Sequence, residues 1–365
     1  MTNAVTAAHG GDVESIARRY GIPLERILDF SANLNPMGLP PGAAARLARE
    51  AADPRVLTRY PDRDAAELRE QLAQRNNIPG GSLVIGAGAD ALIHAAVRAL
   101  APRRCWIPVP AFAEYERACS AFGCPVRHII LDPGRGFRVD GTTPHEAGPG
   151  DLVILNNPHN PTGACLFRTE MQRTIAQLLS VGANVLADEA FIDYAPDASI
   201  AADAAAQNRL IVVRSLTKFF GCAGLRVGYA VAAPETASQL ARQLPPWPVT
   251  TLAANALAEA LRDTAFVRAT LENNRRELAS LAQALAGIGL CVFPSAANFL
   301  LARIPDDHHA PALRERLIRE FAIVVRDCDS FQGLEPGCYW RIAVRSAADN
   351  ARLIQSLATI LKEVT

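Results

Sequence analysis

The sequence carries no excess charge of either sign: 37 lysines and arginines balance 37 aspartates and glutamates over 365 positions. A pI near 7.0 leaves no general field to attract nucleic acid or an anionic membrane, so any bound anion is held by a few placed groups. No apolar run reaches the roughly 20 residues that span a bilayer. The opening MTNAVTAAHGGDVESIARRY lacks a basic start, an apolar stretch and a cleavage site, so export is not expected. The eight cysteines, at 105, 119, 124, 165, 222, 291, 328 and 338, show none of the paired short spacings of a zinc site. A chain this large does not need disulfides as staples. Internal repeats and low-complexity tracts are missing too. With half of its residues hydrophobic, the chain is not disordered in bulk. These absences describe a soluble cytoplasmic protein with reduced thiols and a length suited to about two domains.

What is present begins with an alternation of periods from residue 64 onward. DAAELREQLAQRNN, GADALIHAAVRAL, FAEYERACSAFG and 168–180 read as helices. Between and after them LVIG, CWIPVP, PVRHIIL, DLVILNN, NVLAD, RLIVVRS and RVGYAVA read as short buried strands. That order predicts an α/β fold whose mostly parallel sheet is covered on both faces. LPPWP at 244–248 breaks the pattern, since neither a helix nor an inner strand continues through it. Beyond it, helices at 270–287, 313–321 and the C-terminus, with strands LCVFP, NFLLARI, AIVVRD and YWRIAVR, predict a smaller α+β unit. The expected division is an N-terminal arm over 1–40 packing with the small unit, a large unit over 41–244 and a small unit over 245–365. The arm is long, irregular and turn-rich, as functional loops are.

Four segments follow predicted strands, where ligands of open α/β sheets bind. GAGAD at 86–90 precedes a helix whose N-terminus offers N–H groups to a phosphate; an ordinary strand-to-helix turn accounts for it equally well. NNPHNPTG at 156–163 is a fixed loop that holds an amide rigidly. Asp188 ends NVLAD, and a carboxylate buried there needs a partner such as a cationic ring nitrogen, a helix cap or a salt bridge. SLTKFFGCAGLRVGYA at 215–230 sets Lys218 in an apolar surrounding that lowers its pKa and suits it to Schiff-base chemistry. Ser215 and Arg226 bracket it with good phosphate ligands.

Taken together, NPHNPTG, DEAF and SLTKFFGCAGLRVGY resemble the fold-type I pyridoxal-phosphate enzymes of the aminotransferase superfamily, over essentially the whole chain. The resemblance implies pyridoxal 5'-phosphate as cofactor, carried by Lys218, with Asp188 pairing the ring nitrogen and Asn160 bonding the ring oxygen. It implies that Ser215, Arg226 and the backbone around Ala89 and Asp90 hold the cofactor phosphate. Phe112 becomes the ring-stacking aromatic, and Tyr60 of RYPD reaches the phosphate of the neighbouring subunit in a homodimer. Where the superfamily often has a ring-oxygen-bonding tyrosine, this chain has Phe191.

The arm segments HGGDVESIARRYG and DFSANLNPMG, with DEAFIDY and VVRDCDSFQGLE, are similar to the threonine-phosphate decarboxylase family of cobalamin synthesis. That family is a relative of histidinol-phosphate aminotransferase. The likeness implies a small phosphorylated amino acid as substrate, with the arm residues His9, Gly10 and Asn33 closing over it, Asn160 also binding it, Arg326 facing its phosphate and Arg341 its carboxylate. Arg345 is read as structural. An aminotransferase acting on histidinol phosphate or an aromatic amino acid is the alternative, since the same residues serve both outcomes. A cofactor-binding regulator would need a nucleic-acid-binding domain or a basic face, and the chain has neither. No metal is expected.

Overall fold

The computed structural model describes residues 10–139, 146–305 and 308–362. Seven strands, β2 (Leu83–Gly86), β3 (Arg104–Val109), β4 (Val126–Ile130), β5 (Asp151–Asn156), β6 (Asn184–Asp188), β7 (Leu210–Ser215) and β8 (Gly228–Ala232), form one sheet; β1 (Leu28–Asp29) lies in the arm before them. The order is β2-β8-β7-β6-β5-β3-β4. Only β8 runs against its neighbours; the pairs from β7 to β4 are all parallel. The expected mostly parallel α/β sheet is therefore the fold.

The reason lies in strand periodicity. Successive side chains of a strand point to opposite faces, so Val153 and Leu155 enter one apolar layer while Leu152 and Ile154 enter the other. Val212 likewise faces the first layer, and Ile211 and Val213 the second. Helices cover both layers, which is why these strands read as unbroken apolar runs.

A second sheet, β12-β13-β10-β9, is antiparallel: β9 (Cys291–Val292), β10 (Phe299–Arg303), β12 (Arg326–Asp327) and β13 (Tyr339–Ala343). Its apolar face, with Leu300, Trp340 and Ile342, packs on Leu313, Leu317, Leu353 and Leu357 of two covering helices. Leu28 and Phe30 of the arm enter the same cluster. The run AIVVRD, expected as one strand, serves two partners. β11 (Ile323–Val324) pairs in parallel with β1, and Arg326–Asp327 pairs with β13. After the LPPWP break the helix Thr251–Arg262 packs on Pro41–Ala51 and Ala66–Asn76. Its Leu257 joins the first apolar layer of the seven-stranded sheet. The helix Thr264–Gly287, capped by Asp263 accepting the Phe266 N–H at 2.8 Å, then leads to the second sheet.

The arm is stitched to the turn after β7. The Asn35 amide donates to the Phe219 carbonyl at 2.8 Å, and the Asn35 N–H donates to the Lys218 carbonyl at 3.1 Å. Gly221, at φ +57°, closes this contact; a Cβ there would lie 2.7 Å from Gly38 Cα and 2.9 Å from the Asn35 carbonyl oxygen. Both obstacles are backbone and cannot rotate away. Gly221→Ala should therefore destabilise the protein by on the order of 1–3 kcal/mol, read as a lowered urea midpoint with unchanged m-value.

Candidate active site

A cavity of about 710 Å³ opens where the parallel strands end. The strand ends deliver the groups: Phe112 follows β3, Asn160 follows β5, Asp188 ends β6, Ser215 ends β7 and Lys218 follows it. The loop carrying Asn160 has cis peptide bonds at Asn157–Pro158 and Asn160–Pro161. Its Asn160 N–H donates to Asn156 Oδ1 at 2.6 Å, and the Asn156 amide donates to the Asp188 carbonyl at 2.8 Å. The second sheet contributes Arg326 and Arg341, and the arm contributes Gly10 and Asn33.

Lys218 is one of only two lysines among the 37 basic residues; the other, Lys362, ends the last helix. Burial, then the charges of Arg341 and Arg226, bring its amine down to about 8, with Asp188 opposing them. Asp188 is fully buried, and that burial raises its carboxyl. Hydrogen bonds from the Tyr115 hydroxyl (2.6 Å, to Oδ2) and the Ala190 N–H (2.8 Å, to Oδ1) oppose the rise, as does the Lys218 charge.

At one end of the cavity the helix Ala89–Leu100 presents its N-terminus, preceded by Gly88 at φ +90°. A Cβ on Gly88 would meet Arg226 Nη2 at 3.0 Å, so glycine here lets a guanidinium lie against the helix start. Unpaired N–H groups and a cation together make an anion cradle. Ser215 adds a hydroxyl, 2.9 Å from that of Thr217. Burial, then the Glu114 carboxylate, pushes Asp90 upward.

At the other end Arg326 and Arg341 are direct cross-strand partners of β12 and β13, both buried at 6% and 7% exposure. Arg341 donates to Asn160 Oδ1 at 2.6 Å and to the Ser31 carbonyl at 2.9 Å, and lies over the Phe299 ring. Burial lowers it to about 10, with the Arg326 charge acting in the same direction. Arg326 donates to Ser330 Oγ at 2.7 Å and lies over Phe331. Two buried polar atoms at this end, Arg341 Nε and Asn33 Oδ1, have no hydrogen-bond partner among the described residues.

The cavity thus gathers most of the residues expected from sequence: Ala89, Asp90, Phe112, Asn160, Asp188, Ser215, Lys218 and Arg226 around one end and the middle, Gly10, Asn33, Arg326 and Arg341 at the other. His9 lies outside the described residues. Tyr60 does not line the cavity; it is 79% exposed and stacks on Trp247 at 4.5 Å. Phe191 lines the wall and meets Phe299 edge-on at 5.0 Å, so that side is apolar. Arg345 points elsewhere, bonded to Asp349 and the Asp29 carbonyl. Sequence reasoning missed Asn156, Thr217, Ser330 and Tyr115. Asn156 and Thr217 sit beside expected residues in the same motifs, whereas no periodicity distinguishes Tyr115 from an ordinary core tyrosine.

The donor set fits pyridoxal phosphate: an amine of lowered pKa, a buried carboxylate for a ring nitrogen, an aromatic wall and an anion cradle at one end. Residues 25–357 match the family described as aminotransferase class I and II. The chain is 37% identical to a threonine-phosphate decarboxylase of Salmonella typhimurium, over 97% of each protein. Among solved structures it is similar to L-threonine-O-3-phosphate decarboxylase from Porphyromonas gingivalis, with 28% identity, TM-score 0.79, and 91% and 99% of the two chains covered. It is similar as well to histidinol-phosphate aminotransferase from Clostridium acetobutylicum, with 26% identity, TM-score 0.83, and 92% and 100% covered. Fold, cavity chemistry and sequence agree: this chain belongs to the aminotransferase class I and II family, with the fold of the type I pyridoxal-phosphate enzymes.

Proposed function

We propose that this protein decarboxylates L-threonine O-3-phosphate to (R)-1-amino-2-propanol O-2-phosphate, a building block for cobalamin, using pyridoxal phosphate held by Lys218. The observation that carries the reading is the pair Arg326–Arg341. Like charges directly opposite on neighbouring strands repel, and these two are buried, so the arrangement suits a ligand that brings two anions. A phosphorylated amino acid does so, with its phosphate toward Arg326 and its carboxylate toward Arg341. Histidinol phosphate brings only one. The threonine-phosphate decarboxylase relatives support the same choice.

In this reading Phe112 stacks on the cofactor ring, Asp188 faces its nitrogen and Asn160 its oxygen. Ser215, Arg226 and the amides of Ala89 and Asp90 hold its phosphate. When bound, pyridoxal phosphate supplies an electron sink for the pair released as a bond at the substrate's α-carbon breaks. Orientation then selects the bond: Arg341 fixes the carboxylate, and Asn33, Gly10 and His9 of the arm close over the substrate. Each turnover releases one carbon dioxide and takes up one proton, and Lys218 Nζ is the amine in the cavity suited to carry it. Phe191 gives no hydroxyl to the ring oxygen, leaving Asn160 as its donor. Tyr60, exposed on one copy, reaches the neighbouring copy's cofactor phosphate in a cytoplasmic homodimer. The division into an arm over 1–40, a cofactor-binding unit over 41–244 and a smaller unit over 245–365 belongs to the same proposal. Among the described residues no helix is long and apolar enough to cross a membrane.

The direct test incubates the protein with pyridoxal phosphate and threonine O-phosphate, without any oxo acid. Sustained carbon dioxide release with aminopropanol phosphate accumulating is expected. No release, with amino transfer from histidinol phosphate once 2-oxoglutarate is added, overturns the proposal. Arg326→Gln should raise KM for threonine O-phosphate about 10- to 100-fold, the worth of a charged hydrogen bond.

Capture of pyridoxal phosphate by the apo-protein needs neutral Lys218. Its rate, followed by visible absorbance, should therefore climb from pH 7 to pH 9 with a midpoint near 8. Arg341→Gln removes a positive neighbour and should move that midpoint upward. Lys218→Ala should abolish the visible band of the lysine-bound cofactor.

A further inference from the structure

Tyr115 lies outside the cavity wall, buried at 2% exposure on the helix Ala113–Ala121. Its one side chain makes two contacts with groups that do line the cavity. The hydroxyl donates to Asp188 Oδ2 at 2.6 Å. The ring meets Phe112 edge-to-face, with centroids 5.6 Å apart and planes at 83°. Phe112 and Tyr115 are three residues apart, so the start of one helix bears both the face that would cover the cofactor ring and the donor that reaches the carboxylate facing its nitrogen.

We infer that Tyr115 is a positioning residue for the cofactor: its hydroxyl keeps the Asp188 carboxylate fixed and ionised, and its ring braces Phe112. The inference rests on the reading that Asp188 faces the cofactor's ring nitrogen, and is independent of which substrate is used.

Consider what surrounds the carboxylate. Burial favours its neutral form. From the helix side Tyr115 faces it, and that phenol stays protonated, raised well above its ordinary value by burial and then by the Asp188 charge. From β5, Asn156 lends a neutral amide to the Asp188 carbonyl. From β7 the register partner is Val213, which is apolar. Past the end of β7, Lys218 is the cation that stabilises the charge, and the Ala190 N–H holds the other oxygen. Removing the Tyr115 hydroxyl leaves Oδ2 without that donor in a buried setting. The carboxyl pKa then rises further, and a protonated carboxyl no longer pairs with a protonated ring nitrogen. The loss of affinity must therefore grow as pH falls.

The experiment titrates apo-protein with pyridoxal phosphate at pH 8 and pH 6 in four proteins: unaltered, Tyr115→Phe, Asp188→Asn and the double variant. Tyr115→Phe keeps the ring against Phe112 and is expected to weaken binding about 10- to 100-fold, with a larger ratio at pH 6. In the Asp188→Asn background the same change should cost little, because there is no charge left to hold. The double variant has no buried carboxylate lacking a donor, so its comparison with Asp188→Asn stays readable even if the single variant folds poorly, and a large loss there overturns the inference. Binding by Tyr115→Phe within twofold of the unaltered protein overturns the inference. So does an equal loss in both backgrounds, which marks a purely structural role. Asp188→Asn binding like the unaltered protein overturns instead the assignment of Asp188, and the inference falls with it.

Discussion

A buried guanidinium needs partners, and Arg341 finds two acceptors and an aromatic ring in three different parts of the chain. One Nη donates to Asn160 in the loop after β5, the other to the Ser31 carbonyl of the arm, and the group lies over Phe299 of the second sheet. The arm, the seven-stranded sheet's ligand loop and the four-stranded sheet thus meet on one side chain. Its position opposite Arg326 sets a second buried positive charge against it. Losing one partner of such a buried charge is costly, so this contact constrains how the pieces of the cavity are held together.

The same cavity shows how burial sets chemistry. Lys218 and Asp188 are each pushed toward neutrality by desolvation, and each favours the other's charge. The arginines push the amine further toward neutrality; the tyrosine and the Ala190 amide pull the carboxylate back toward charge. Burial moves both groups toward neutrality, while the neighbours act in opposite senses: the arginines add to the shift of the lysine, and the hydrogen bonds restrain that of the carboxylate.

Much of this was legible in the sequence, and for physical reasons. β5, β6 and β7 are covered on both faces, so they read as uninterrupted apolar runs whose ends mark the ligand loops. Asn160, Asp188, Ser215 and Lys218 sit at those ends and carry motif neighbours. What was not legible depends on register and on through-space contact. Nothing in AIVVRD and YWRIAVR announces that Arg326 and Arg341 are cross-strand partners, nor that Ile323–Val324 leaves its neighbours to pair with β1. Tyr115 looked like any tyrosine on an amphipathic helix, because its partner is 73 residues away in sequence. Tyr60 was picked out by its motif alone; within one copy it stacks on Trp247 and lies outside the cavity.

The parallel pairing of β1 with β11, Leu28 opposite Ile323, has a consequence for the order of assembly. A ribosome makes β1 before β11, and β11 emerges only after both covering layers of the large sheet have been made. Closing so long a loop is worthwhile only once its ends are already held near each other. The seven-stranded sheet can therefore form while the arm still waits. The arm is made before the sheet whose cavity it helps to line and is seated after it, so a nascent chain does not complete that cavity until β11 has emerged.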